Sequence, residues 1–146
     1  MDNDFFTNTL KSINVPVKSI EQFSPLVLAY VGDAVFELYV RTHLVSFGNT
    51  SVHKLHMRSI SYVKAHTQAF IAHEISELLS DEEKDVIRRG RNAKSATVPK
   101  NADVGEYRYA TGFESLIGYL YLKMEYDRLK RILELALSCA DTIAHS

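Results

Sequence analysis

The chain holds one cysteine, no tryptophan, three prolines and six glycines in 146 residues. A lone Cys139 excludes an intramolecular disulfide and any multi-cysteine metal cluster, which points to a reduced, cytoplasmic protein. No stretch approaches the roughly 18–20 uninterrupted apolar residues needed to span a bilayer. The acidic start, Met1-Asp2-Asn3-Asp4, lacks the basic opening and apolar run of a signal peptide. The length suits a single domain over residues 1–146, and 46% hydrophobic with 24% charged residues excludes a disordered chain.

Net charge is also nearly absent, at −1, but the charges are not mixed evenly. No acidic residue lies between Glu37 and Glu74, nor between Asp85 and Asp103, while residues 74–85 are strongly acidic. The second acid-free stretch collects Arg88, Arg89, Arg91, Lys94 and Lys100. Binding to a phosphate backbone follows local clustering rather than the total, so a small net charge does not exclude a nucleic acid. A solvated helix end followed by a polar loop would leave the same charge run, and both readings stay open at this point.

With so little proline and glycine, and no sustained alternation of period two, the chain reads as helical almost throughout. Residues 3–13 form a short helix that stops before Pro16. Ser24-Pro25 supplies a cap and a first-turn proline for a helix to about residue 46, ended by Gly48. Thr50-Ser51 opens a stretch that is helical to about residue 79 with one break. Ser80-Asp81-Glu82-Glu83 is a capping box for a short helix to about Arg89. Residues 90–103 are the one long non-helical candidate, followed by helices over 104–124 and 126–144. The fold class is all-α, without a repeat or linker to mark a second domain.

Two of these helices carry a misplaced acid. Helix 25–46 is apolar nearly all round, which predicts a central position, with Leu26, Tyr30, Val40 and Leu44 on the Asp33 face. In helix 104–124, Tyr107, Ala110, Ile117 and Tyr121 flank Glu114. An ionised carboxylate in apolar surroundings is costly unless it is paired, hydrogen-bonded or metal-bound. Gly32 adjoins Asp33, and Gly112 and Gly118 bracket Glu114. A mid-helix glycine costs about 1 kcal/mol relative to alanine, so these three suggest close backbone approach. If the helices cross there, Asp33 and Glu114 converge on one cation, and oxygen-only ligation completed by waters is the usual Mg²⁺ arrangement. A salt bridge or backbone cap for each acid is the alternative.

Tyr30-Val31-Gly32-Asp33-Ala34-Val35-Phe36-Glu37-Leu38 resembles the signature helix of the ribonuclease III catalytic domain, whose core reads Leu-Gly-Asp-Ala. Phe113-Glu114-Ser115-Leu116-Ile117-Gly118-Tyr119-Leu120 resembles that domain's second metal-binding helix, and Leu55-His56-Met57-Arg58-Ser59 the helix between them. The likeness covers nearly the whole chain in the right order. The chain end near Ser146 leaves no room for the double-stranded RNA-binding domain that usually follows. Together with Arg89-Gly90-Arg91-Asn92-Ala93-Lys94 and Pro99-Lys100-Asn101-Ala102-Asp103, that resembles the short Mini-III branch.

The resemblance implies an all-helical homodimer of ribonuclease III catalytic domains that cleaves double-stranded RNA with Mg²⁺, for which Mn²⁺ is a candidate substitute. It implies a role in maturing the 23S (large-subunit) ribosomal RNA precursor, with a large-subunit ribosomal protein as a further candidate partner and no membrane association. Asp33 and Glu114 carry over as catalytic metal ligands. Two further acids of the longer enzymes do not, because Ala29 and Thr111 stand in their places. Glu37, one turn after Asp33, is a candidate to assist through a water or to serve a salt bridge. Arg88, Arg91, Asn92, Lys94, Lys100 and Asn101 are the expected RNA contacts, since duplex RNA is bound mainly through its shape, phosphates and 2′-hydroxyls. Phe23, Phe36 and Tyr39 suit either the dimer interface or the core.

None of the six histidines falls into a zinc motif: His53 and His56, and His66 and His73, share helical spacing without an HExxH pattern. Cys139, in the apolar run of the last helix, is a poor nucleophile candidate. Two competing readings remain. A catalytically inactive, ribosome-associated RNA-binding module of the same fold would explain Ala29 and Thr111 but not the retained acids. A helical protein–protein adaptor would explain the apolar helices but neither the acids nor the basic block.

Overall fold

The computed structural model describes residues 5–13, 17–94, 98 and 100–144. The first two residues of the expected opening helix, the Pro16 stop and Pro99 lie outside the described residues. Seven α-helices are seen among the described residues: α1 Phe5–Ile13, α2 Pro25–Val45, α3 Val52–Val63, α4 Ala65–Ile75, α5 Asp81–Asn92, α6 Val104–Leu122 and α7 Tyr126–Ala144. Two 3₁₀ turns, Val17–Gln22 and Ser76–Leu78, complete the order, and no strand occurs among the described residues.

The starts follow local chemistry. The Ser24 hydroxyl accepts from the Leu26 amide at 3.2 Å ahead of Pro25, and the Ser51 hydroxyl accepts from the Lys54 amide at 3.2 Å. Both halves of the capping box at Ser80 and Glu83 are present. Asp103 opens α6 by accepting from the Glu106 amide at 3.0 Å. The expected break falls at Lys64, whose extended backbone separates α3 from α4. There Thr67 donates to the Ser61 carbonyl at 2.6 Å and Gln68 to the Val63 carbonyl at 2.7 Å, satisfying acceptors that a helix end leaves open.

Two ends differ from expectation. Helix α5 runs to Asn92 instead of Arg89, so the basic block begins on helical turns. Gly90, which looks like a stop, is an interior residue that lets α5 pass close to α6. Helix α6 stops at Leu122 rather than residue 124, where Met124 takes a left-handed backbone with φ 58°. The turn at 17–22 was not legible either, since six residues anchored by one fully buried side chain, Ile20, carry no periodic signal.

The central helix is α6, not helix 25–46. Phe113, Leu116, Ile117 and Leu120 are all at 0% exposure, and α6 packs against α2, α4 and α5. Helix α2 buries Leu28, Ala29, Phe36, Val40 and Leu44 on one side, with Phe36 edge-to-face on Phe113 at 5.1 Å. Its other apolar side lies in solvent, where Tyr30 is 82% and Leu38 is 55% exposed. Between α7 and α5, Arg128 makes two 2.7 Å bonds to the buried Glu83 carboxylate.

Candidate active site

The site is built where α2 crosses α6. A Cβ at Gly32 would lie 1.8 Å from the carbonyl oxygen of Glu114, and one at Gly118 would lie 1.9 Å from that of Leu28. No other residue type permits this approach, because a Cβ essentially never comes within 3.0 Å of a neighbouring heavy atom. Asp33 follows Gly32, and Glu114 precedes Gly118 by about one turn, so the crossing puts the two carboxyl groups within hydrogen-bonding contact. Gly112 serves another contact than the one expected. Its Cβ would meet the Ile87 carbonyl at 2.6 Å, and a Cβ on Gly90 would meet the Gly112 Cα at 2.8 Å, so α5 and α6 cross at a second glycine pair.

Asp33 is exposed and Glu114 is largely withdrawn from water. Burial, first, and the hydrogen bond and charge of Asp33, second, push the Glu114 carboxyl up to about 8. The charge of Glu37 pushes the same way, while a hydrogen bond from Gln68 pulls it down. Near neutrality the pair therefore retains a proton. Glu37 itself pairs with Arg41, one turn on, at 3.5 Å. Ala29 is buried, and the Thr111 hydroxyl donates to the Tyr107 carbonyl at 3.1 Å, so neither position brings a substitute acid.

Sequence reasoning missed Gln68 on α4. It is 3% exposed, and its Nε2 donates to Val63 and lies 3.5 Å from Oε2 of Glu114. Its Oε1 is buried without a hydrogen-bond partner. The available signal was weak: Gln68 stands at the head of the apolar run Ala69-Phe70-Ile71-Ala72, next to another polar residue, Thr67.

This donor set fits a divalent cation. Two facing carboxyls that share a proton offer hard oxygen ligands, and a small cation that keeps several of its waters needs only one or two carboxylates. No group of three or more His, Cys, Asp or Glu side chains suited to a metal occurs among the described residues. Two of the histidines are occupied otherwise: His66 pairs with Glu106, and the His73 ring lies 4.2 Å from that of Tyr109. Burial and the charge of Glu74 raise the Cys139 thiol, which opposes thiolate formation.

Of the six expected RNA contacts, Arg88, Arg91 and Asn92 sit on the last turns of α5, and Lys94, Lys100 and Asn101 on the connection to α6. Arg88 is paired with Asp85. Arg91 is half-buried, donating to the Tyr109 hydroxyl at 3.2 Å and lying 5.5 Å from its ring centre. Asn92, Lys94, Lys100 and Asn101 are exposed, and Asn101 has φ 71°. Phe36 is core, whereas Tyr39 lines an apolar groove of about 500 Å³ with Val31, Val35, Leu38, Leu129 and Leu133. Phe23 packs half-buried against the core.

Comparison with known proteins agrees with this architecture. The family model for the ribonuclease III domain matches residues 26–125, which include Asp33, Gln68 and Glu114. A Mini-ribonuclease 3 of Thermoanaerobacter is 56% identical over 119 residues, covering 82% of this chain and 84% of that protein. One from Clostridium tetani is 48% identical over 122 residues, covering 83% and 81%. A crystal structure of a Fusobacterium nucleatum protein superposes with a TM-score of 0.74 at 32% identity, covering 82% of this chain and 96% of that one. The chain belongs to the ribonuclease III family, on the side of the Mini-ribonuclease 3 proteins, and is an endoribonuclease.

Proposed function

We propose that the protein cleaves double-stranded RNA using a divalent cation, Mg²⁺ by preference, at Asp33 and Glu114. The observation that carries this is the glycine crossing, which forces two carboxyl groups together in a place where packing alone would exclude them. A cation bound there supplies a more acidic water and charge stabilisation at the scissile phosphate. Asp33, open to solvent, would meet a large substrate, while Glu114, held by α6, fixes the other side of the site. Glu37 acts through its charge, held in place by Arg41. The reading assigns the proton handling to the cation-bound water rather than to a histidine base.

The basic turns of α5 and the following connection supply phosphate contacts that carry little sequence information. The exposed groove along α2 and α7 supports pairing with a second copy of the chain, which would give one site for each RNA strand. Contiguous apolar surface of this kind is uncommon on monomers. The resemblance to the short Mini-III branch extends this reading to the precursor of 23S ribosomal RNA as the substrate.

The test is cutting of a long RNA duplex with Mg²⁺ by the wild type, Asp33→Asn and Glu114→Gln. Cutting by the wild type and by neither variant is the expected result. Undiminished cutting by both variants would refute the site, and binding of intact duplex by the wild type would turn the reading towards an inactive RNA-binding module.

A further inference from the structure

We infer that Gln68 is a positioning residue of the cation site, its side-chain oxygen accepting a hydrogen bond from water in the shell of the bound cation. The inference rests on the cation reading above and adds a residue that neither the carboxyl pair nor the basic surface calls for.

The amide is fixed in orientation. Nε2 donates to the Val63 carbonyl at 2.7 Å, and exchanging nitrogen and oxygen would set two oxygens against each other at that distance. The fixed orientation places Nε2 3.5 Å from Oε2 of Glu114 and leaves Oε1 buried without a partner. A buried acceptor left unsatisfied costs about 1–3 kcal/mol.

A cation beside Glu114 resolves the orphan, because water bound to a divalent ion is a strong, directed donor. The amide also has the right charge. With Ala29 and Thr111 in place of acids, the pair lacks further oxygen acceptors, yet another carboxylate would add to the repulsion that already burdens Glu114. A neutral amide brings an acceptor without a charge. The break between α3 and α4 serves this end, since the free Val63 carbonyl is what holds the amide still.

The experiment follows Mn²⁺ binding to the purified protein by electron paramagnetic resonance of the free ion, with thermal melts in chelator and steady-state cutting of duplex RNA alongside. The variants are Gln68→Leu, Gln68→Met as a second apolar replacement of similar length, Thr67→Val, and Glu114→Gln. Removing an outer partner of a metal ligand typically weakens binding tenfold or more. Gln68→Leu or Gln68→Met should therefore weaken Mn²⁺ about tenfold and lower kcat at limiting metal, with KM for RNA near wild type. Both also lose the bond to the Val63 carbonyl, so the melting midpoint in chelator should fall. Thr67→Val removes the neighbouring bond to the Ser61 carbonyl at the same helix junction, and should lower the midpoint while keeping wild-type Mn²⁺ affinity. Wild-type Mn²⁺ affinity in both apolar Gln68 variants would overturn the inference, as would an equal loss of Mn²⁺ affinity in Thr67→Val. If Glu114→Gln binds Mn²⁺ like the wild type, the cation reading itself fails, an outcome distinct from failure at Gln68.

Discussion

Replacing Glu114 by glutamine should make the metal-free protein more stable at alkaline pH while abolishing cutting. The reasoning starts from the carboxyl raised from its ordinary 4.5 to about 8 by burial and by Asp33. An acid whose folded value lies above its unfolded one favours the fold only while protonated. The penalty is absent below pH 4.5, grows as pH rises towards 8, and is constant above. At about 1.4 kcal/mol for each pH unit the ceiling is about 5 kcal/mol, and partial solvent access reduces this to about 2–4 kcal/mol. The glutamine keeps the shape and never ionises. Melts in chelator from pH 5 to 9.5 should show the two proteins converging at the acid end. At pH 9 the variant should lead by about 4–16 °C, given about 2–4 °C for each kcal/mol in a chain of this size. Addition of Mg²⁺ should close the gap from the wild-type side alone. Parallel pH profiles for the two proteins would refute the assignment of Glu114 as a buried, strained acid.

Three further outcomes are expected. Gly32→Ala drives a methyl group to 1.8 Å from the Glu114 carbonyl, so it should destabilise the fold by about 3 kcal/mol or more and abolish Mn²⁺ binding, read by urea unfolding and paramagnetic resonance. Arg91→Ala combined with Lys94→Ala should weaken duplex binding and reduce the slope of log affinity against log salt by about 1.5, whereas an unchanged slope removes both residues from the phosphate contacts. Leu38→Glu places a charge in the exposed apolar groove and should shift sedimentation from dimer to monomer without lowering helix content; a wild type that sediments as monomer would end the two-copy scheme.

Much of this molecule was legible because its signals are local. Caps at Ser24, Ser51 and Ser80 each announce a helix start with a side chain two or three residues from the amide it serves. Asp33 and Glu114 stood out because acids on apolar helices are costly, and the glycines beside them told how they meet. What stayed hidden depends on neighbours distant in sequence. Gly90 reads as a helix stop until Gly112 is seen opposite it. Gln68 has no neighbour in sequence that reveals Val63 and Glu114 as its partners. The apolar surround of helix 25–46 suggested a central place, but periodicity cannot tell a buried apolar face from one left in solvent.

The tight crossing and the proton shared by the carboxyl pair belong together. With Ala29 and Thr111 uncharged, one proton held between Asp33 and Glu114 neutralises most of what remains, so the helices can close to glycine contact before any cation arrives. The same closeness makes the site exacting, because the proton must leave when a cation enters. Cation binding should therefore strengthen with pH up to about 8, while the uncharged Gln68 amide keeps its hydrogen-bonding capacity across that range.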